Sequence, residues 1–191
     1  MSSRTGVIPR HAVVFCAGLV FLQAYSATAQ QLNVDFNVSG TSTVRSWTCT
    51  VKGVLAVSSG TGAPAAPGFP NGVQSATLTV PVKSFTCPND EMTQHLFDAM
   101  KPDKFPQIVY RLEKYEVTGA RAQVKGTITI GGVTAPADVP IALKASPEGV
   151  QIEGNTRIDM TKFGIDPPVV MLGLLKVGPQ VRIEFKGVVG R

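Results

Sequence analysis

The sequence predicts an all-β fold: an antiparallel, up-and-down barrel of about eight strands, interrupted by one short helix. Three observations predict it. Apolar residues recur at every second position in run after run, which suits strands with one wet face. Nineteen Gly and 14 Pro among 191 residues punctuate those runs and disfavour a helix bundle. The later connections are short, so consecutive runs are expected to be neighbours. Eight strands close into a barrel just wide enough for one elongated ligand.

The chain opens on a segment with the marks of an export signal. Arg4, Arg10 and His11 form a positive start, residues 12–22 an apolar stretch, and Ala27-Thr28-Ala29 a small-x-small site. Cleavage is expected after Ala29, leaving 30–191 as one domain. The destination is the periplasm in a host with two membranes, and the medium in a host with one. Phe15 before Cys16, and the apolar run after it, argue against a lipoprotein. Losing Arg4 and Arg10 lowers the formal net charge from +5 to +3. No Lys/Arg run or aromatic-basic interleaving follows, so a nucleic-acid footprint is absent. No apolar run reaches the ~18 residues of a membrane-spanning helix, so no integral membrane segment is expected after cleavage.

The strand pattern begins with Val34, Phe36 and Val38, followed by a second extended run over residues 44–57. Residues 58–72, rich in Gly, Pro and Ser, read as a long loop. Leu78, Val80 and Val82 alternate next. Ile108, Tyr110 and Leu112 share a parity, with Val109 and Tyr115 on the opposite face. Four further sets follow: Val124, Ile128 and Ile130; Val139, Ile141 and Leu143; Val150, Ile152 and Ile158; Val181, Ile183 and Phe185. Turn residues at 118–120, 131–132 and 146–149 separate them.

One helix is expected near residues 90–100. Asn89 can cap it, Asp90 and Glu91 suit its positive end, Met92, His95, Leu96 and Met100 recur at helical spacing, and Pro102 helps to end it. An irregular stretch from 160 to 178 contains the Phe163-Gly164 turn, flanked by Asp159 and Lys162 as a cap or a surface ion pair. It also contains an apolar patch at 169–175 with three readings: a lid on the barrel mouth, a contact for a membrane or second subunit, or a strand that packs.

Without Cys16, two cysteines remain. An even number in an exported chain favours a disulfide between Cys49 and Cys87. Paired positions in a hairpin sum to a constant. For Cys49 and Cys87 that constant places the turn at residue 68, inside the 58–72 loop. Closing this loop contributes about 4 kcal/mol in the chain-entropy model. Two Cys and one His are too few for a metal site. His95 has Asp98 three residues on and Ser84 or Thr93 as candidate neighbours. No G-x-S-x-G elbow or other nucleophile signature accompanies it, so it reads as a helix-surface histidine and no enzyme is expected.

Four blocks in order resemble the YceI-like family of exported lipid-binding proteins. They are Ser42-Thr-Val-Arg-Ser-Trp47; residues 92–100 followed by Lys104-Phe-Pro-Gln-Ile-Val-Tyr110; Val124-Lys-Gly-Thr-Ile-Thr-Ile-Gly-Gly-Val-Thr134; and Thr161-Lys-Phe-Gly-Ile165. The resemblance spans residues 31–189. Two features depart from the family pattern: the 58–72 loop is longer than in compact members, and the helix lacks an arginine-rich start and paired Phe.

The resemblance implies a lipocalin-like barrel holding a long apolar molecule, such as a polyisoprenoid or quinone-like lipid, with no other cofactor. Strand parity then offers Phe36, Leu78, Val80, Tyr110, Leu112, Ile128, Ile130, Ile141 and Leu143 as interior residues. Trp47 shares parity with Cys49 and is expected to pack against the disulfide or stack on the ligand. Arg45 has the same parity and reads as a rim residue or a head-group partner. The rival reading of the same interior residues is a filled core. That protein would be a structural or stress-related barrel acting through a surface at 58–72 or 169–175, with a homodimer as one form.

Overall fold

Alternation and turn chemistry produce nine strands and one helix in the computed structural model, which describes residues 29–60 and 62–189. The export signal predicted over residues 1–29 lies outside these residues except at Ala29. The strands are β1 (Ala29–Ser42), β2 (Ser46–Ser59), β3 (Val73–Pro81), β4 (Gln107–Thr118), β5 (Arg121–Ile130), β6 (Val133–Ser146), β7 (Gly149–Asp159), β8 (Val169–Val170) and β9 (Leu175–Val189). The helix, α1 (Asp90–Met100), lies between β3 and β4.

From β1 to β7 each strand pairs antiparallel with the next. β7 then pairs with β9, and β9 returns to β1 with Phe36 opposite Phe185, so eight long strands close the ring. The two-residue β8 pairs only with the start of β9. The expected eight-stranded meander is therefore the observed wall. Gly131 and Gly132, both at positive φ, form the tight link between Ile130 and Val133. Two left-handed residues match the twist of a two-residue hairpin, and glycine adopts them without steric cost.

Local shifts alter the simple parity. β3 ends at Pro81, and Val82 opens a one-turn 3-10 helix, Val82–Ser84, instead of continuing the strand. Those three residues put the chain out of step with the β2–β3 ladder, so that Thr50 bridges Thr86. Cys49 and Cys87 flank that bridge with Cα atoms 4.2 Å apart and are disulfide-bonded, as their spacing predicts. In β4 a bulge lies between Leu112 and Lys114. It reverses parity beyond that point and turns Tyr115 inward. The expectation that Tyr115 faces away from Tyr110 and Leu112 is therefore wrong, because an extra residue in one strand moves every later side chain to the other face.

α1 starts where its cap predicts. Asn89 Oδ1 accepts a hydrogen bond from Met92 N at 2.8 Å, and Asp90 and Glu91 occupy the first turn. The helix ends at Lys101, which is left-handed (φ 51°), followed by a buried Pro102. Replacing Asn89 with alanine is expected to cost about 1 kcal/mol, read as a lower denaturant midpoint at constant m. Asp159 acts as a cap: its Oδ1 accepts from Thr161 N (3.0 Å) and Thr161 Oγ1 (2.6 Å), opening a 3-10 turn over Met160–Phe163. These bonds, the Thr161 hydroxyl foremost, hold the Asp159 carboxyl below its ordinary range.

Two clusters of buried side chains stabilise the wall. One gathers Val34, Phe36, Val51, Val80 and Phe85 around the disulfide. The other gathers Ile130, Met160, Phe163, Ile165 and Val181 where the 3-10 turn tucks under β9.

Candidate ligand-binding interior

Side chains facing into the ring do not fill it. Val34, Phe36, Val51, Val57 and Val189, from β1, β2 and β9, are buried by their neighbours. Opposite them, Leu112, Val124, Val139, Ile141, Leu143 and Ile152 also face the interior yet are only half-buried. Protein atoms therefore leave part of the inner wall uncovered. The space is divided into two abutting cavities of about 240 and 380 Å³. Both are lined by Val38, Phe85, Ile108, Ile128 and Ile183, which form the waist between them. Their sizes are of the order of small-molecule sites, roughly 300–1,000 Å³.

The smaller cavity is almost wholly hydrocarbon. Its polar side chains among the described residues are Tyr110, Tyr115 and Thr156. Tyr110 donates to Ala137 O at 3.2 Å, and burial pushes its phenol up to about 12, with Asp138 and Glu113 adding to the shift. Gly126, buried beside it, has no room for a side chain: a Cβ there would lie 2.1 Å from Arg111 O and 2.7 Å from the Tyr110 hydroxyl.

Tyr115 donates to Pro64 O and accepts from Val73 N at 2.8 Å. This pair of bonds ties the β2–β3 loop across its end of the barrel, where Ala66, Pro67 and Phe69 line the cavity. Tyr115→Phe removes both bonds. It is expected to cost about 1–3 kcal/mol, because the Val73 N–H loses its acceptor, and to speed proteolytic nicking within residues 60–72. Unchanged nicking would show that the loop is held by other contacts.

The larger cavity lies under α1. Met92, Leu96, Ala99 and Met100 form its roof, and Trp47, Ile130, Ile158 and Val181 lie among its walls. Exposed Arg45, Asn89 and Glu91 also line it, so the cavity reaches the surface between α1 and the β1–β2 turn. Trp47 lies flat over Gly40, where a Cβ would come within 2.5 Å of the indole, and packs against the disulfide cluster. Its Nε1–H is buried and has no acceptor among the described residues.

The nine residues offered as interior, and Trp47, all line these cavities. Phe36, Leu78, Val80, Tyr110, Leu112, Ile141 and Leu143 line the smaller one, Ile128 lines both, and Trp47 and Ile130 line the larger. Val34, Val51, Leu55 and Val124 also contribute, and strand parity alone would have included them. The roof of α1 and Phe69 of the loop carry no strand signal, and only packing reveals their part. Arg45 stands at the rim.

His95 lies on α1 and lines the larger cavity. Its Nε2 lies 3.6 Å from Glu91, and Asp98 accepts from Gln94 Nε2 at 2.8 Å. Among the described residues no group of three or more His, Cys, Asp or Glu is placed to hold a metal ion.

Comparison with known proteins agrees with this geometry. No protein of curated function matches the sequence. Among solved structures, Burkholderia cenocepacia BcnA is similar at 19% identity, covering 81% of this chain and 96% of that one with a TM-score of 0.60. The Campylobacter jejuni YCEI protein is similar at 13% identity over 96% of this chain and 99% of its own, with a TM-score of 0.57. A polyisoprenoid binding domain from Saccharophagus degradans, implicated in plant cell wall breakdown, matches at 14% identity over 82% and 91%, also with a TM-score of 0.57. At these identities the likeness is one of fold. The family model for the YceI-like domain matches residues 25–189, nearly the whole chain, and the closed barrel with its single helix is the fold expected of it; the chain belongs to the YceI-like family.

Proposed function

We propose that this chain is an exported protein that holds or carries a long apolar molecule, isoprenoid- or quinone-like, inside its barrel. The carrying observation is the half-buried inner wall of β4 to β7: apolar surface that faces the interior and that the described residues cover only in part. A hydrocarbon chain is the occupant such a wall favours, because water is the worse solvent for it. Burying about ten lipid carbons contributes about 8 kcal/mol at ~0.8 per methylene, before the costs of association. The affinity therefore comes from the tail, which lies toward the loop-capped end. Any polar head belongs at the α1 end, near Arg45, Asn89 and Glu91. The disulfide fits an oxidising compartment outside the cytoplasm. The solved polyisoprenoid binding domain of the same fold lends support to the ligand class. No covalent step is proposed.

Native mass spectrometry of the purified protein, followed by organic extraction, tests the reading. The expected result is one long-chain species per barrel, or stoichiometric uptake of added polyprenol or ubiquinone by ligand-free protein. Protein that is isolated empty and takes up neither compound would overturn it and favour a barrel acting through its outer surface.

A further inference from the structure

Four apolar side chains stand in water beside the mouth of the larger cavity. Leu172 and Leu174 are 106% and 77% exposed, Val44 is 68% and Val169 is 60%. Val44 belongs to the β1–β2 turn, and the others belong to the segment spanning β8 and the start of β9. The two strips form one surface: Thr43 N donates to Lys176 O at 3.0 Å, and Thr43 Oγ1 donates to Leu174 O at 2.9 Å. Exposed and cavity-lining residues are adjacent along both strips. Arg45 follows Val44, Pro168 and Val170 flank Val169, and Leu175 follows Leu174, and these four line the cavity. At the hairpin tip Leu172 is left-handed (φ 54°), a backbone that side-chain-bearing residues avoid, and Gly173 follows at φ 90°.

We propose that this rim inserts into the surface of an anionic lipid bilayer and brings the cavity mouth against the membrane. The proposal rests on the lipid-holding reading above. An apolar cargo would then pass between bilayer and barrel with little exposure to water. Three observations favour a bilayer over a second copy of the chain. The apolar residues sit on turns and a hairpin tip, not on a flat face. Four aliphatic side chains cover only part of the ~800 Å² per partner that a stable protein interface buries. Cations border them: Arg45 and Lys176 are exposed, and neither forms an ion pair with a carboxylate among the described residues. The carboxylates of the same rim are Glu91, which faces His95, Asp98, which accepts from Gln94, and Asp166. Asp98 and Asp166 line the surface pocket beside Val169 together with Lys101, on the α1 side of the rim, whereas Arg45 and Lys176 flank Val44 and Leu174. Apolar side chains flanked by basic ones suit the interface of a membrane carrying negative lipids.

The test is cosedimentation of the purified protein with vesicles of phosphatidylcholine alone, or of phosphatidylcholine and phosphatidylglycerol in equal parts. Binding to the mixed vesicles is expected, with a loss of at least about tenfold in the Leu172→Asp, Leu174→Asp double variant. Lys176→Glu is expected to reduce the preference for phosphatidylglycerol. Both variants should still take up geranylgeraniol delivered from detergent, because none of these side chains lines the cavities. Wild-type protein that stays in the supernatant, or a double variant that sediments like wild type, would overturn the proposal. So would a wild-type dimer in sedimentation equilibrium that the double variant dissociates, since a second copy would then cover the patch. Failure of wild-type protein to take up geranylgeraniol would sink the lipid-holding reading instead, and the vesicle measurement reports on the rim separately.

Discussion

Ile141→Trp is expected to leave the barrel folded while lowering its affinity for a long polyprenol by about 50-fold. Ile141 faces the smaller cavity from β6, and its cross-strand partners are Ala122 and Gly154, two of the smallest residues in the wall. The Phe185 ring covers Gly154, so the larger indole grows past Ala122 toward the barrel axis, into space that a ligand would occupy. Excluding three lipid carbons at ~0.8 kcal/mol each removes more than 2 kcal/mol of binding, which is about 50-fold. Stability distinguishes this barrel from a filled one. In a close-packed core the added atoms cost roughly 1–3 kcal/mol. In a hollow one they bury apolar surface of their own, and the thermal midpoint stays level or rises. Polyprenol titration and a melting curve on the same protein read both effects. A folded variant with wild-type affinity would show that the ligand does not use this cavity.

Replacing Cys49 and Cys87 together with alanine is expected to cost about 4 kcal/mol. The bond closes a sequence separation of 38 residues, and in the chain-entropy model its loss releases that constraint on the unfolded chain. For a domain of this size the melting midpoint falls by about 8–16 °C, at ~2–4 °C per kcal/mol. A local effect should accompany the global one. Cys87 N donates to Thr93 Oγ1 at 3.2 Å, and that hydroxyl also donates to Asn89 O, so the bridge anchors the first turn of α1 to the wall. Limited proteolysis of the variant should open first within residues 82–106, exposing the larger cavity from its roof. Calorimetry with and without reductant measures the global term. A midpoint shift under about 3 °C would show that the wall holds this segment without the bridge.

Short-range chemistry explains why so much of the fold was legible in the sequence. Alternation of period two located the strands, paired glycines at 131–132 marked a hairpin that tolerates no side chain at positive φ, and Asn89 announced the helix it caps. The even cysteine count pointed to the disulfide, but the β2–β3 ladder alone would not have paired the two; the three-residue 3-10 turn at Val82–Ser84 brings Cys87 opposite Cys49. Four short blocks, in order, identified the family. Each of these signals is local, or depends on two segments whose pairing follows from chain order.

What the sequence left open depended on relations between distant parts of the wall. The bulge after Leu112 turned Tyr115 inward, and the 3-10 turn at Val82–Ser84 shifted the chain by three residues; each reflects how a strand fits its neighbours in a closed ring. The emptiness of the interior is of the same kind. Leu143 reads identically in a filled barrel and in a hollow one. Whether another side chain meets it across the axis is set by the diameter at which eight strands close, and by the bulk of residues on β1, β2 and β9. The sequence thus determined the strands, the helix, the disulfide and the family, while tertiary structure alone decided that part of the inner wall of β4 to β7 stays uncovered, because a void is a distance between walls and belongs to no single residue.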